Sequence, residues 1–381
     1  MSEWEPELEE LKFRESLAEK MGGSEKVERQ NERGKLNIRE RIALLLDEDS
    51  FHEIGKIAGK ATYDENGDLL DLQASNFIFG RGRIDDRTVV IAGDDFTVRG
   101  GAADASIITK QVAAEQMANE LNLPIIRLID GTGGGGSVKT LDPNEHSKGS
   151  ISANTYGRGA RTYVPLNPGW EYVISNLATV PTVSLCLGPV AGLGAARAVS
   201  SHYSVMVKDL SQLFVAGPPV VNALGIEEVD KESLGGSQIQ TRNGSIDDEV
   251  ESEEEAFAAA RKFLSYLPSS TFENSEKLST EDSTSRTDPN LNDIIPRDRR
   301  KVYRMRNIIE SVFDVHSFFE MSSSFGRSAI TGLARLDGWP VAVLAGDPYH
   351  YGGGWTADAA QKVVRFVDLA ETFHLPVVHL V

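Results

Sequence analysis

Apolar and polar residues follow two different rhythms along this chain, and each rhythm predicts a different kind of element. In residues 5–47, the segments ELEELKFRESLAEKMGG and KLNIRERIALLL place apolar residues at helical spacing. Farther along, short apolar runs predict strands: TVVIAGDDF, PIIRLID, VPTVSLCLG, YSVMV and LFVA. Two helical segments lie among these strands, ASIITKQVAAEQMANELN and NPGWEYVISNLA. Such alternation predicts a fold of the α/β class.

One segment is repeated. Residues 83–101 (RIDDRTVVIAGDDFTVRGG) align without a gap on residues 335–353 (RLDGWPVAVLAGDPYHYGG). The same offset of 252 residues pairs LPIIRLI (123–129) with LPVVHLV (375–381), and 13 of the 47 positions from 83 to 129 are identical. Because the turn ending in Gly-Gly is kept, we interpret the pattern as a duplicated strand–turn–helix–strand unit rather than chance similarity.

The repeat and a polar stretch together suggest the domain organisation. Residues 269–296 are rich in Ser, Thr, Asp, Glu and Asn, which is typical of a linker. The first copy continues for more than a hundred residues past the repeat, whereas the second copy reaches Val381. We therefore expect a second domain that is incomplete in this chain, with an exposed apolar edge.

Composition narrows the possible partners. The chain has 39 Lys and Arg against 57 Asp and Glu, a net charge of −18, which disfavours nucleic acid and anionic membranes as partners. Its single cysteine, Cys186, excludes an internal disulfide and a cysteine-rich metal site. The acidic start resembles neither a signal nor a transit peptide, so we expect a soluble, cytoplasmic protein.

Three glycine-rich loops follow the predicted strands: Gly100–Gly101, residues 130–137 (DGTGGGGS) and residues 188–194 (GPVAGLG). The middle loop is formally GxGxxG, but a polar, proline-broken segment follows it instead of an apolar helix, so a dinucleotide site is disfavoured. No P-loop or GxSxG motif occurs, and the histidines (His202, His316 and His374 among them) show no metal spacing and are expected to be surface or packing residues. The small loops leave two interpretations open. Either they let neighbouring elements pack closely, or their backbone amides stabilise a substrate oxyanion such as a thioester enolate.

The chain resembles the carboxyltransferase (beta) subunits of biotin-dependent acyl-CoA carboxylases, of the propionyl-CoA carboxylase beta type. The resemblance covers nearly the whole chain. It rests on the following motifs: KLNIRERIALLLDEDSFHEIG, GRGRIDDRTVVIAGDDFTVRGG, GPVAGLGAARAVSSHYSVMV, LFVAGPPVVNALG, ESLGGSQIQTRNGS, LSYLP and GLARLDGWPVAVLAGDP.

This resemblance implies two crotonase-like (ClpP/crotonase) domains, built as duplicated β-β-α superhelices, with the second truncated here. The implied organisation is a helical segment (1–50), an N domain (51–268), a linker (269–298) and the first part of a C domain (299–381). It further implies active sites between subunits of a homo-oligomer, with a hexamer expected. Acyl-CoA would be the substrate, no metal would be needed, and biotin would arrive on a separate carrier or biotin carboxylase subunit.

The resemblance also implies site residues. The backbone amides of Gly192 and Leu193 would form the oxyanion hole for the thioester enolate, and biotin itself would remove the α-proton. The substrate-binding candidates are Phe96, Gly100, Gly101, Gly133, Gly134, Ala191 and Gly194. Lys35, Arg39 and Arg41, a basic segment before the first domain, are candidates for the CoA phosphates, with a solvated helix face as the alternative.

Some residues depart from the family pattern. Leu193 stands where a second glycine is usual, the loop that starts at Asp130 lacks the usual arginine, and Gln240 stands where many members have histidine. The C-domain counterpart of Gly192 would fall at about position 444, so we expect this chain alone to bind acyl-CoA but not to transfer the carboxyl group. The alternative functions are a biotin-dependent decarboxylase subunit, a hydratase or isomerase of the same fold, and a catalytically silent structural subunit.

Overall fold

The computed structural model describes residues 3–101, 108–131, 170–225 and 228–381. The chain begins with three helices, α1 (Glu5–Glu19), α2 (Ser24–Asn31) and α3 (Ile38–Leu45). The side chain of Asn37 accepts hydrogen bonds from the first turn of α3, and Glu40 bonds back to the Asn37 amide, which together form a capping box. This cap fixes the start of α3, whose apolar side then packs into the main core.

The first half of the chain builds a seven-stranded sheet with the order β1-β4-β5-β6-β7-β9-β11. Its strands are β1 (His52–Glu53), β4 (Phe77–Ile84), β5 (Arg87–Asp94), β6 (Ile125–Ile129), β7 (Thr182–Cys186), β9 (Tyr203–Val207) and β11 (Asp248–Val250). The strands from β5 to β11 run parallel, so their carboxyl ends lie along one edge. Every residue of β6, β7 and β9 is buried, which explains their continuous apolar character.

Within the described ranges, two small sheets and seven helices complete this half. The antiparallel pair is β2 (Gly59–Tyr63) with β3 (Leu69–Ala74), and the parallel pair is β8 (Pro189–Ala191) with β10 (Gln212–Phe214). The helices are α4 (Ile108–Leu121), α5 (Trp170–Leu177), α6 (Leu193–Val199), α7 (Pro218–Asn222), α8 (Lys231–Gly235), α9 (Ser237–Arg242) and α10 (Glu253–Ser265).

The last third of the chain forms a four-stranded sheet with the order β12-β13-β14-β15. The strands are β12 (Phe319–Met321), β13 (Ala329–Leu336), β14 (Trp339–Gly346) and β15 (Val377–Leu380), accompanied by the helices α11 (Met305–Val312) and α12 (Ala357–Thr372). Residues 269–298, expected to be a linker, contain one 3-10 turn (Pro289–Asn292) and no strand. Aromatic side chains of both sheets meet in one core, where Tyr203 stacks on Phe263 with ring centroids 4.9 Å apart and meets the edge of Phe319 at 5.4 Å.

The duplicated segments have the same backbone. The hairpin β4–β5 pairs Phe77 with Asp94 and Ile84 with Arg87, and the hairpin β13–β14 pairs Ala329 with Gly346 and Leu336 with Trp339. Each named position in the hairpin β13–β14 lies 252 residues after its counterpart in the hairpin β4–β5, which is the offset found in the sequence. A parallel strand then adds to each hairpin, β6 to β5 and β15 to β14. The same turn also follows each hairpin, as 3-10 segments at Arg99–Gly101 and Tyr351–Gly353.

Candidate active site

The loops after β5, β6 and β7 meet at the carboxyl edge of the large sheet. The Ala191 amide donates to the Gly131 carbonyl at 3.3 Å, which joins the third loop to the second. A Cβ atom at Gly101 would lie 2.7 Å from the Asp130 carbonyl, and one at Gly131 would lie 3.0 Å from the Gly100 carbonyl. Gly101 and Gly131 also have φ values of +69° and +141°. Glycine is therefore required where these loops touch.

Asp130, immediately after β6, is the charged centre of this region. Its carboxylate is fully buried and accepts hydrogen bonds from Lys35 Nζ and Arg41 Nη1, each at 2.8 Å. Arg41 also contacts Glu253 and donates to the Leu187 carbonyl at 2.9 Å. Burial lowers the pKa of Lys35 and raises the pKa of Glu253, although the neighbouring opposite charges work against both shifts. The network ties the N-terminal helices and α10 to the end of β6.

Lys35 and Arg41, two of the three residues predicted to contact CoA phosphates, are buried and ion-paired in the structure, so a phosphate contact for them stays a prediction. The Arg41 side chain is 0% exposed and the Lys35 side chain 8%, and their charges are engaged by Asp130 and Glu253. Only Arg39 reaches the surface, where it pairs with Glu53 at 2.9 Å. The sequence shows three basic residues close together. It does not show the buried carboxylates of Asp130 and Glu253, which are distant in the sequence.

Gly192 and Leu193, the predicted oxyanion-hole residues, differ in how their backbone amides are used. Gly192 has φ +60° and ψ −125° and ends β8 just before α6. Its amide donates to the Phe214 and Val215 carbonyls at 3.3 and 3.1 Å, so in this arrangement the amide is used to hold β10 and is not free for a substrate. The next two amides, of Leu193 and Gly194, belong to the first two residues of α6. Neither amide has an acceptor among the residues that the structure describes. Leu193 therefore keeps an amide without a described acceptor, and Gly194 offers a second one.

The other predicted substrate residues that the structure describes border the same place. Phe96 is partly buried, Lys35 Nζ lies 4.5 Å from its ring centroid, and the ring lies beside Gly100. The Leu193 side chain is 43% exposed at the start of α6, where Gly194 is buried. Gly133 and Gly134 lie outside the described residues, so their predicted role stays a prediction.

Sequence reasoning missed the buried carboxylate of Asp94, the last residue of β5. Its Oδ2 atom accepts a hydrogen bond from the Asp130 amide at 3.1 Å. Burial raises the pKa of Asp94 to about 6, against the opposing effect of Arg197. The paired aspartates that follow the apolar run TVVIAG were the available signal, since a carboxylate at the end of a buried strand faces the loops.

Gln240, noted as a departure from the family pattern, has a structural contact. Its side-chain amide donates to the Leu213 carbonyl at 2.7 Å and so braces α9 against β10, the strand whose end holds the Gly192 amide.

A second polar cluster, also missed by sequence reasoning, joins the two halves of the chain. Asp247 accepts hydrogen bonds from Ser322 at 2.8 Å and Arg365 at 3.0 Å, and Tyr203 donates to Asp248 at 3.0 Å. Burial, aided by the Asp247 charge, raises the pKa of Asp248 to about 7, and burial lowers the pKa of Lys362 to about 8. A cavity of about 230 Å³ lies beside Asp247 and Lys362.

The described ranges contain no group of three or more His, Cys, Asp or Glu side chains placed to hold a metal ion. None of the helices within those ranges is both long enough and apolar enough to cross a membrane. His202 is a packing residue, as predicted. Its ring nitrogens contact Thr182 and the Leu177 carbonyl, and burial lowers its pKa to about 4.

Comparison with known proteins identifies the family. A carboxyl transferase domain model matches residues 29–381, so the chain belongs to the carboxyl transferase family. Within that family it is a carboxyltransferase of the biotin-dependent acyl-CoA carboxylase type, similar to propionyl-CoA carboxylase beta chains. It is 31% identical over 375 residues to the propionyl-CoA carboxylase beta chain of Roseobacter denitrificans, covering 98% of this chain and 70% of the relative. The mitochondrial human beta chain is 30% identical over 363 residues, covering 94% and 64%.

Solved structures agree with the family assignment. The transcarboxylase 12S structure with methylmalonyl-coenzyme A bound superimposes with a TM-score of 0.85 at 28% identity, covering 100% of this chain and 71% of that one. This match confirms the α/β fold predicted from the sequence.

Proposed function

We propose that the chain binds an acyl-CoA thioester where the three loops meet and stabilises the enolate of that thioester with the backbone amides of Leu193 and Gly194. The observation that carries this proposal is the pair of amides at the start of α6, which lack an acceptor among the described residues and lie directly after the loop joined to Gly131. Phe96, Gly100, Gly101 and Ala191 would line the same site. Gly133 and Gly134 remain predicted members of it.

Formation of a thioester enolate suits a site whose hydrogen-bond donors are backbone amides. Loss of the α-proton places negative charge on the thioester oxygen, and an amide donor directed at that oxygen lowers the barrier by roughly 3–4 kcal/mol. The enolate electron pair then forms the new carbon–carbon bond to the incoming carboxyl carbon, and the thioester carbonyl is restored. Carboxylated biotin, when bound, would supply that carboxyl group through cleavage of its nitrogen–carboxyl bond, and the nitrogen released by that cleavage would take up the α-proton.

We also propose the finer organisation that the sequence predicted. The repeated hairpin, turn and parallel strand support two crotonase-like domains, with the N domain at 51–268 and the start of a C domain at 299–381. Assembly as a homo-oligomer that receives biotin from a separate subunit is supported by the transcarboxylase 12S relative, whose structure is described as a hexamer assembly.

Decarboxylation, the reverse of the same reaction, is supported by one relative. The chain is 28% identical over 361 residues to the methylmalonyl-CoA decarboxylase subunit alpha of Veillonella parvula, covering 94% of this chain and 67% of the relative. An enolate-stabilising site serves carboxylation and decarboxylation equally, because both pass through the same enolate. The direction therefore depends on the partner subunits.

The test removes one backbone N–H, and a second variant controls for the change of side chain. Leu193→Pro deletes the N–H at the first position of α6, where proline is tolerated because that N–H has no partner within the helix. Leu193→Ala is the matched control, because it keeps the N–H and shortens the same side chain. Both variants are assayed in the complete enzyme with its biotin carrier, in the carboxylation and decarboxylation directions.

We expect kcat to fall about 10²- to 10³-fold for Leu193→Pro and to change little for Leu193→Ala, with near-native acyl-CoA affinity in both. Equal turnover of the proline variant and the parent, with unchanged thermal unfolding, would exclude the Leu193 amide from the oxyanion hole. No activity in either direction for the parent would favour a silent structural subunit.

A further inference from the structure

A basic cleft lies between α9 in the first half of the chain and the β12–β15 sheet with its helices. The cleft has a volume of about 750 Å³ and is lined by Arg242, Arg306, Ser323, Ser324, Arg327 and His350. An adjoining cavity of about 460 Å³ shares Arg306, Arg327 and His350 and adds Arg304. Cationic side chains concentrate here although the whole protein carries a net charge of −18.

The arginines of this cleft differ in how their charge is used. Arg306 is fixed by two carboxylates, since it donates to Glu320 Oε2 and to Asp347 Oδ2, each at 2.7 Å. Arg242 and Arg327 are exposed, and neither forms an ion pair with any residue in the described ranges. Two uncompensated guanidinium groups therefore face one cleft. Their mutual repulsion favours the binding of an anion between them.

The cleft is built from both halves of the chain. The turn after Arg242 packs on the second half, because a Cβ atom at Gly244, where φ is +78°, would come within 2.7 Å of the Phe325 ring. The Gln240 contact with the Leu213 carbonyl anchors α9 on its other side. Arg242 therefore projects from a braced helix end toward the segment that carries Ser323, Ser324 and Arg327.

We propose that this cleft binds the phosphate groups of a small organic phosphate, with Arg242 and Arg327 as the charged donors. A guanidinium group donates two parallel hydrogen bonds that match phosphate oxygens, and serine hydroxyls add neutral donors. Two free positive charges suit a ligand with at least two phosphate charges, and the volume lies in the usual range for small-molecule sites. A nucleoside diphosphate and the diphosphate of a CoA thioester share this chemistry. The proposal stands whether or not the Leu193 amide serves catalysis.

Inorganic pyrophosphate is the first probe, titrated calorimetrically into the protein at fixed ionic strength. We expect Arg242→Gln and Arg327→Gln each to weaken pyrophosphate binding about tenfold or more, and the double variant to weaken it further. Arg242→Lys keeps the charge but not the forked geometry, so its affinity should lie in between. Arg299→Gln is the matched control, because Arg299 is exposed, has no ion pair with a described residue and does not line the cleft.

Competition then separates the two ligand sources. If CoA displaces pyrophosphate from the parent, and this displacement is lost in the double variant, the site is assigned to the nucleotide part of CoA. Displacement by ADP but not by CoA assigns it to a free nucleotide. The proposal is overturned if the parent does not bind pyrophosphate, if neither CoA nor ADP competes, or if Arg299→Gln weakens binding as much as the cleft variants.

Discussion

Replacing Arg41 by methionine should destabilise the protein far more than any nearby surface change. Arg41 and Asp130 are both 0% exposed and Glu253 is 3% exposed. Removing the guanidinium leaves two buried carboxylates near each other, and it leaves the Leu187 carbonyl without this donor. Breaking a buried ion pair by removing one partner costs about 3–5 kcal/mol, a large part of the roughly 5–15 kcal/mol that stabilises a typical domain.

Arg39→Met is the matched control, two residues away. Arg39 is 25% exposed and pairs with Glu53, and exposed pairs contribute about 0–1 kcal/mol. Urea unfolding at pH 7, followed by circular dichroism, should therefore show a much lower midpoint for Arg41→Met than for Arg39→Met. The deficit of Arg41→Met should shrink as pH falls toward 5. Burial already raises the pKa of Glu253, and loss of its Arg41 partner favours protonation of that carboxyl in the folded variant as the pH falls, so the charge that destabilises the variant is removed.

Equal losses of stability in the two variants would refute this reasoning, and so would a deficit that does not change with pH. Either result would mean that the Asp130 network is hydrated or rearranged, and Arg41 would again become a candidate for contact with substrate phosphates.

Two further predictions concern the same core. Gly188→Ala should lower the unfolding midpoint and displace Lys35 or Asp130, because the new Cβ would overlap the Asp130 carboxylate and the Lys35 ammonium. Gly217→Ala is the control, since the nearest atom to its new Cβ would be 3.6 Å away. Equal unfolding midpoints for the two variants would contradict the packing argument. Asp248→Asn should gain stability relative to the parent as pH rises from 5 to 8. The folded-state pKa of Asp248 is raised to about 7, so the parent loses stability as that proton is released, while asparagine does not titrate; parallel pH profiles would contradict this.

The sequence predicted the local elements well because strands and helices depend on short-range patterns. The run YSVMV coincides with β9 (Tyr203–Val207), and PIIRLID contains β6 (Ile125–Ile129). The 252-residue offset also predicted which segments form equivalent hairpins. A continuous run of apolar residues indicates a buried strand from local sequence alone, so these predictions needed no knowledge of distant contacts.

The sequence did not indicate contacts between residues that are distant along the chain. Whether Arg41 meets solvent or a carboxylate depends on Asp130 and Glu253, 89 and 212 residues away. The Gly192 amide is taken by carbonyls at the end of β10, and the short spacing of glycines in GPVAGLG does not indicate which amides remain free. The local pattern indicated the loop, but only the tertiary structure shows which of its amides lack an acceptor among the described residues.

The two copies of the repeat show what the fold preserves. Arg99, Gly100 and Gly101 have φ values of 53°, 63° and 69°, and Tyr351, Gly352 and Gly353 have 52°, 62° and 79°. A left-handed backbone costs a non-glycine residue roughly 1–2 kcal/mol, yet both copies keep it at a position occupied by arginine in one and tyrosine in the other. The turn geometry has therefore been retained while the side chain at its first position differs. This outcome is expected if the backbone of these loops, rather than a particular side chain, forms the functional surface.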